Sequence, residues 1–263
     1  MIEFDGRPAV LEDLAALALY GYGHFTSITI VAGRARGFSL HLDRLVGDCR
    51  KLFAADLDRD RVRQLIRRAA RQSSLPAVVR VTVYAPDLDL GRPGAHLEPH
   101  VLVTTRAASS GRASALRLTG VRYQRDLPEV KHVGLFTTVY HRRVAQLAGS
   151  DDVLFLDDTG RVVEGATWNI GFFDGQQVVW PRSACLPGVT MRLLKQALVD
   201  SGVPWVEAPV DLYAVAGMQA AFVTNAAVGV RAVRSIDHVG FQADLPFVEL
   251  LQQRYLAVTE EEI

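Results

Sequence analysis

The chain is short of cysteine and of lysine, and carries no surplus charge of either sign. Cys49 and Cys185 are the only cysteines in 263 residues. No metal-ligand spacing links them, so neither a disulfide framework nor a zinc module organises the fold, and free thiols in a reducing compartment are expected. Lys plus Arg equals Asp plus Glu at 29 each, which removes the electrostatic footprint of a nucleic-acid or anionic-membrane binder and leaves a small-molecule substrate. No apolar run reaches the length of a membrane span. The first apolar stretch is broken by Glu12 and Asp13 and lacks a basic flank, so no secretory signal is read and a cytoplasmic location is expected. The seven histidines, His24, His41, His96, His100, His132, His141 and His238, are scattered without a ligand pattern, and no metal is predicted.

What is present is a large apolar fraction, 49%, in a chain long enough to bury a sizeable core. Alternation over HFTSITIVAG (24–33) predicts a strand entering a hairpin at Gly33. Helical spacing follows in FSLHLDRLVGDCRKLFAAD and in DRDRVRQLIRRAARQSS, and VVRVTVYAP then alternates as a strand closed by Pro86. The small, flexible AASSGRASA (107–115) is read as a linker between an α/β domain at 1–106 and a second domain at 116–263. In that second half Asp158-Thr159-Gly160 and Asp174-Gly175 join pairs of apolar runs as hairpin turns, and helices are expected at 138–149, 190–201 and 246–257. The class is α/β in the α+β sense.

The three lysines are Lys51, Lys131 and Lys195. Lys51 and Lys195 sit in amphipathic helices, whereas Lys131 precedes the apolar HVGLF. A desolvated lysine loses its proton more readily, as a Schiff-base amine must; a lysine snorkelling from a strand end is the bland alternative and, taken alone, the commoner one. Glu164, in VVEGATWNI, leaves a strand just before a glycine, and Asn169 opens the next apolar run. Val189 and Thr190 follow Gly188 at a helix start, a natural phosphate cradle, though most such starts bind nothing. Arg44 in HLDRL offers a guanidinium for bidentate phosphate contact, with a solvated helix arginine as its ordinary meaning. Arg92 and His96, in the loop DLGRPGAHLEPH, and the aromatic Trp168 are nominated for substrate contact; surface arginine and core tryptophan are the competing readings.

Taken together and in this order, GYGHFTSITIVAG, HLDRL, VKH, EGATWNI, LPGVTMRLL and FVTNAAVGV resemble the fold-type IV pyridoxal-phosphate enzymes, the class IV aminotransferases. That family includes branched-chain and D-amino-acid aminotransferases, R-selective amine transaminases and 4-amino-4-deoxychorismate lyase. The resemblance implies two domains, a smaller N-terminal α+β domain and a larger C-terminal sheet or barrel-like domain, with pyridoxal 5'-phosphate in the cleft between them, and a homodimer. It implies that Lys131 forms the internal aldimine and shuttles protons, and that Glu164 pairs with the pyridine nitrogen. Arg44, Val189, Thr190, Asn225 and Ala226 correspond to phosphate-side positions, Asn169 to a cofactor-side position and Phe25 to a substrate-side position. The implied reaction is amino transfer between an amino acid or amine and a 2-oxo acid. Elimination of pyruvate from aminodeoxychorismate is the alternative, favoured by Lys131-His132 and Asn225-Ala226. Departures at Tyr22, Thr26, Gly134 and Leu135 reshape the substrate pocket and leave a third reading, a non-catalytic relative that binds a metabolite.

Overall fold

A computed structural model of the chain describes residues 1–108, 113–242 and 246–263. The expected linker, 107–115, lies in part outside the described residues, at 109–112. The chain clusters into two compact units, one of Met1–Ser110, Val130–Gly134 and Thr259–Ile263, the other of Gly111–Glu129 and Leu135–Val258.

The first unit begins with β1 (Ile2–Phe4), β2 (Arg7–Pro8) and α1 (Leu11–Tyr20). It continues through β3 (His24–Ile30), β4 (Arg34–Arg36), α2 (Phe38–Phe53), α3 (Arg59–Arg71), β5 (Ala77–Tyr84) and β6 (His100–Ala107). Five strands form an antiparallel sheet in the order β2-β1-β6-β5-β3, and the terminal residues Glu260–Glu262 pair with β4. Period-two alternation sorts the side chains of β5 onto two faces. Val79, Val81 and Val83 enter a core with Phe38, Leu42 and Leu45 of α2 and Val62, Ile66 and Ala69 of α3, while Tyr84 joins Phe4 and Leu102 on the other face, under Leu14 and Leu17 of α1. Each fully buried leucine or valine of this kind stabilises the unit by about 1.5–3 kcal/mol. Helix α3 starts where it does because the Asp58 carboxylate accepts the backbone N–H groups of Asp60 and Arg61, satisfying two otherwise orphaned donors.

The second unit contains β7 (Leu116–Arg122), α4 (Phe136–Leu147), β8 (Asp152–Leu156), β9 (Val162–Gly165), β10 (Asn169–Phe173) and β11 (Val178–Pro181). After these come α5 (Val189–Asp200), β12 (Trp205–Ala208), α6 (Leu212–Val215), β13 (Ala220–Asn225), β14 (Gly229–Ile236), β15 (Val239–Gly240) and α7 (Pro246–Leu256). A mixed sheet runs β12-β11-β10-β13-β14-β7-β8-β9, with β15 paired to β14, and curls into a half-barrel. Strands β8, β10, β11 and β13 read as nearly continuous apolar runs because both their faces are covered. Leu118, Leu154, Phe172, Val223 and Val233 fill the concave side, whereas Trp180 and Phe222 pack beneath Leu194 and Leu198 of α5 and Leu251 of α7. Val153 and Phe155, the alternate residues of β8, turn outward to Ala145 of α4.

Candidate functional site

In the first unit the chain around Lys131 is held as an added edge to β3. The Lys131 carbonyl accepts the Phe25 N–H at 2.9 Å, Val133 N–H donates to the Gly23 carbonyl at 2.9 Å, and His24 bridges His132 in antiparallel register. From α2, Asp48 accepts the Lys131 backbone N–H at 3.1 Å. With its backbone fixed in this way, the side chain lies over an aromatic face, Nζ being 4.8 Å from the Phe25 ring centroid.

Alternation along β3 decides what surrounds it. Phe25 pairs with Thr82 and Ser27 with Arg80 across the β3–β5 ladder, so Phe25 and Arg80 share the face that Val79, Val81 and Val83 leave. The Arg80 guanidinium stacks on the Phe25 ring at 3.6 Å, in range of a cation–π contact. It is half-buried, burial lowers its pKa, and among the described residues no carboxylate lies within ion-pair distance of it. Thr26 points the opposite way, into the helical layer, where its hydroxyl meets Nδ1 of His41 at 2.7 Å. Burial first, then the charges of Arg44 and Lys131, push the pKa of His41 down to about 3, so this imidazole is neutral and adds no further positive charge. Arg44 lies on the same helix, half-buried. Arg92 and His96 stand exposed in the β5–β6 loop, and neither side chain has a partner among the described residues.

The second unit carries the other predicted groups. Glu164 ends β9 and is almost fully buried; its Oε1 accepts Nε–H of Arg125 at 2.9 Å and its Oε2 accepts the backbone N–H of Leu186 at 3.2 Å. Asn169 braces the same loop, donating to the Leu186 carbonyl at 2.8 Å. The loop delivers the chain to α5 through Gly188, where a Cβ would stand 2.0 Å from Asn169 Oδ1, so that only glycine fits. Gly188 caps the helix without a side-chain hydrogen bond, leaving the first-turn N–H groups of Val189 and Thr190 for an external acceptor. The Thr190 hydroxyl is buried and has no hydrogen-bond partner among the described residues. An uncapped helix start with an orphaned hydroxyl is an anion cradle.

Asn225 closes the β13–β14 hairpin, its Oδ1 accepting the N–H groups of Ala227 at 3.0 Å and Val228 at 2.9 Å, so its side chain shapes the turn that presents Ala226. Trp168 is buried, donates Nε1–H to Asp152 at 2.9 Å and covers Gly165, where any Cβ would collide with the indole at 2.2 Å. With Arg142, Asp152, Asn225 and Arg231 it lines a pocket of about 100 Å³.

Four residues in these clusters escape sequence reasoning. Arg80 had a usable signal, a charge inside the otherwise apolar VVRVTVY at the parity shared with Phe25. His41, Asp48 and Arg125 had none, since their roles arise only from partners distant in sequence.

These two groups sit on the fold expected from the motif order. Residues 23–236 match the model of the amino-transferase class IV family, and the chain belongs to that family. Among curated proteins it is 24% identical over 280 residues to the branched-chain-amino-acid aminotransferase of Pseudomonas aeruginosa, covering 97% of this chain and 91% of that one. Among solved structures it is similar to the branched-chain amino acid aminotransferase of Escherichia coli, with a TM-score of 0.86 at 19% identity over 98% and 94% of the two chains. The 4-amino-4-deoxychorismate lyase of Pseudomonas aeruginosa superposes with a TM-score of 0.82 at 27% identity, covering 97% of each chain. A hypothetical aminotransferase from Mycobacterium tuberculosis, solved in a PLP-bound form, gives 0.83 at 17% identity over 98% of each chain.

Proposed function

We propose that this chain is a pyridoxal-phosphate-dependent transaminase that moves an amino group between an amino acid or amine and a 2-oxo acid. The observation that carries the reading is the uncapped start of α5, where the buried Thr190 hydroxyl lacks a partner among the described residues and the Val189 and Thr190 amides are free of intrahelical acceptors. These groups fit a phosphate monoester, and Arg44 and the Asn225-Ala226 turn supply further phosphate-side contacts. When bound, the pyridoxal ring supplies an electron sink for the substrate carbon.

Lys131 would hold the cofactor covalently through Nζ, and as a free amine it carries the proton to and from the substrate carbon. Its anchored backbone limits the positions Nζ can reach, which is the entropic part of its contribution. Glu164 would meet the protonated ring nitrogen with its carboxylate, and Asn169 fixes the loop beside it. Arg80, a half-buried guanidinium without an acidic partner among the described residues, is the substrate-carboxylate contact. Phe25 and Trp168 serve as aromatic walls, and Arg92 as a second anion contact from its exposed loop. A homodimer follows from the same reading and is supported by the outer face of α4, where Phe136 is 83% and Leu147 73% exposed beside Val139, Tyr140 and Val144.

Mixing the holoenzyme with a panel of D- and L-amino acids and aryl amines tests the reading: conversion of the visible band to the shorter-wavelength amine form is expected with at least one donor. A protein that never takes up the cofactor contradicts it. A lyase reading is favoured by one finding, the 27% identity with the aminodeoxychorismate lyase over nearly the whole chain. Release of pyruvate from aminodeoxychorismate without any amino acceptor would establish elimination in place of transfer.

A further inference from the structure

Arg125, to which the proposed function gives no role, forms a tightly built ion pair with Glu164. Both side chains are almost completely withdrawn from water, at 11% and 6% exposure. Arg125 donates from Nε to Glu164 Oε1 at 2.9 Å and from Nη2 to the carbonyl of Pro128. One guanidinium thus ties the carboxylate to the turn of chain that, three residues on, reaches Lys131. A buried carboxylate that loses such a partner is left with an uncompensated charge and becomes free to turn or to take up a proton.

We propose that Arg125 is a positioning residue for the reaction: it fixes Glu164 in its ionised, correctly turned state for the cofactor's ring nitrogen. The inference rests on the proposed function, in which Glu164 faces that nitrogen. Arg125 itself makes no contact with substrate in this scheme. Its effect is transmitted through the carboxylate, whose Oε1 it occupies while Leu186 N–H holds Oε2.

Cys185 supplies a readout that needs no cofactor. Its thiol pKa is raised by burial and then by the charge of Glu164, and lowered by, among others, Arg125. Alkylation of Cys185 by iodoacetamide in the unloaded protein therefore reports the charge balance of the pair, with Cys49 fully buried in the other unit.

The test compares Arg125→Gln, Arg125→Lys and Glu164→Gln with the parent protein. In the unloaded chains Arg125→Gln slows Cys185 alkylation several-fold, Glu164→Gln accelerates it, and Arg125→Lys keeps the parent rate. In the loaded chains Arg125→Gln moves the pH midpoint of the cofactor's visible band by about one unit and weakens cofactor binding about tenfold, the loss expected for one charge-assisted hydrogen bond. Arg125→Lys falls between the two, because an ammonium restores charge without the fixed fork. A midpoint unchanged in Arg125→Gln overturns the proposal even if the thiol rate moves, because the arginine is then only a structural partner; thiol rates unchanged in Arg125→Gln and Glu164→Gln overturn it as well. If Arg125→Gln does not fold, Arg125→Lys carries the same comparison. Failure of the parent protein to bind cofactor sinks the proposed function instead, and is told apart by the parent's missing band.

Discussion

The two units arrange their charged side chains in opposite ways. Around Lys131 the first unit assembles cations, Arg44 and Arg80 among them, keeps the buried His41 neutral, and lays the Arg80 and Lys131 heads over a single phenyl ring. Around Glu164 the second unit matches charge with partners, an arginine on one oxygen and a backbone amide on the other, and among the described residues the Thr190 hydroxyl at the start of α5 has no hydrogen-bond partner. Under the proposed function, an anionic substrate is met by positive charge, whereas a protonated ring nitrogen is met by one carboxylate held still. The difference in pairing therefore separates the residues that meet ligand charge from those that hold geometry.

The comparison is broken most severely at the lysine. Lys131→Ala is expected to abolish the visible band and to lower turnover by at least ~10²-fold, the lower range of general acid–base catalysis; steady-state assay with added cofactor checks it. Glu164→Gln comes next, with kcat reduced by roughly 10²-fold, on the scale of losing one preorganised electrostatic contact, and KM little changed. Arg80→Gln should act on the other term, raising KM for a carboxylate-bearing donor by about 10-fold while an uncharged amine donor is unaffected. Thr190→Val should weaken cofactor binding about tenfold, for one hydrogen bond to a charged phosphate lost, with kcat at saturation preserved.

The smallest effect is on stability, and it lies in the first unit. His24 and His41 are both buried with folded pKa values of about 3, well below the ordinary histidine value near 6.5. Between those values the unfolded chain binds protons that the folded chain refuses, so the stability from neutral burial is complete above about pH 6.5 and is lost progressively as pH falls. Neither ring nitrogen of His24 has a hydrogen-bond partner among the described residues, so His24→Phe should flatten the acid limb of urea-unfolding stability between about pH 6.5 and 4 without lowering stability at pH 8. A curve that stays parallel to that of the parent would remove His24 from the account.

Much of this arrangement was legible before any coordinates. The periodicities of α2 and α3 and the turn residues Asp158-Thr159-Gly160 and Asp174-Gly175 correspond to the elements found, because local turn chemistry and amphipathic spacing act within a few residues. Helix α1 was not legible: LAALALY is apolar on every side, and Leu11 and Leu19 remain exposed, so no period marks it. The composition break could not tell that Val130–Gly134 and Thr259–Ile263 cluster with the first unit, since that depends on strand pairing with β3 and β4. Lys131 and Glu164 stood out by rarity and motif, but Arg125 did not. One arginine among so many has no distinguishing neighbour in sequence, and only the fold brings it to Glu164.

The most direct measurement is to load the protein with pyridoxal 5'-phosphate, reduce it with borohydride and map the modified peptide. With only Lys51, Lys131 and Lys195 in the chain, the outcome is unambiguous. The account predicts the reduced cofactor mass on Lys131 alone, and it is contradicted if the mass appears on Lys51 or Lys195 or if no lysine is modified.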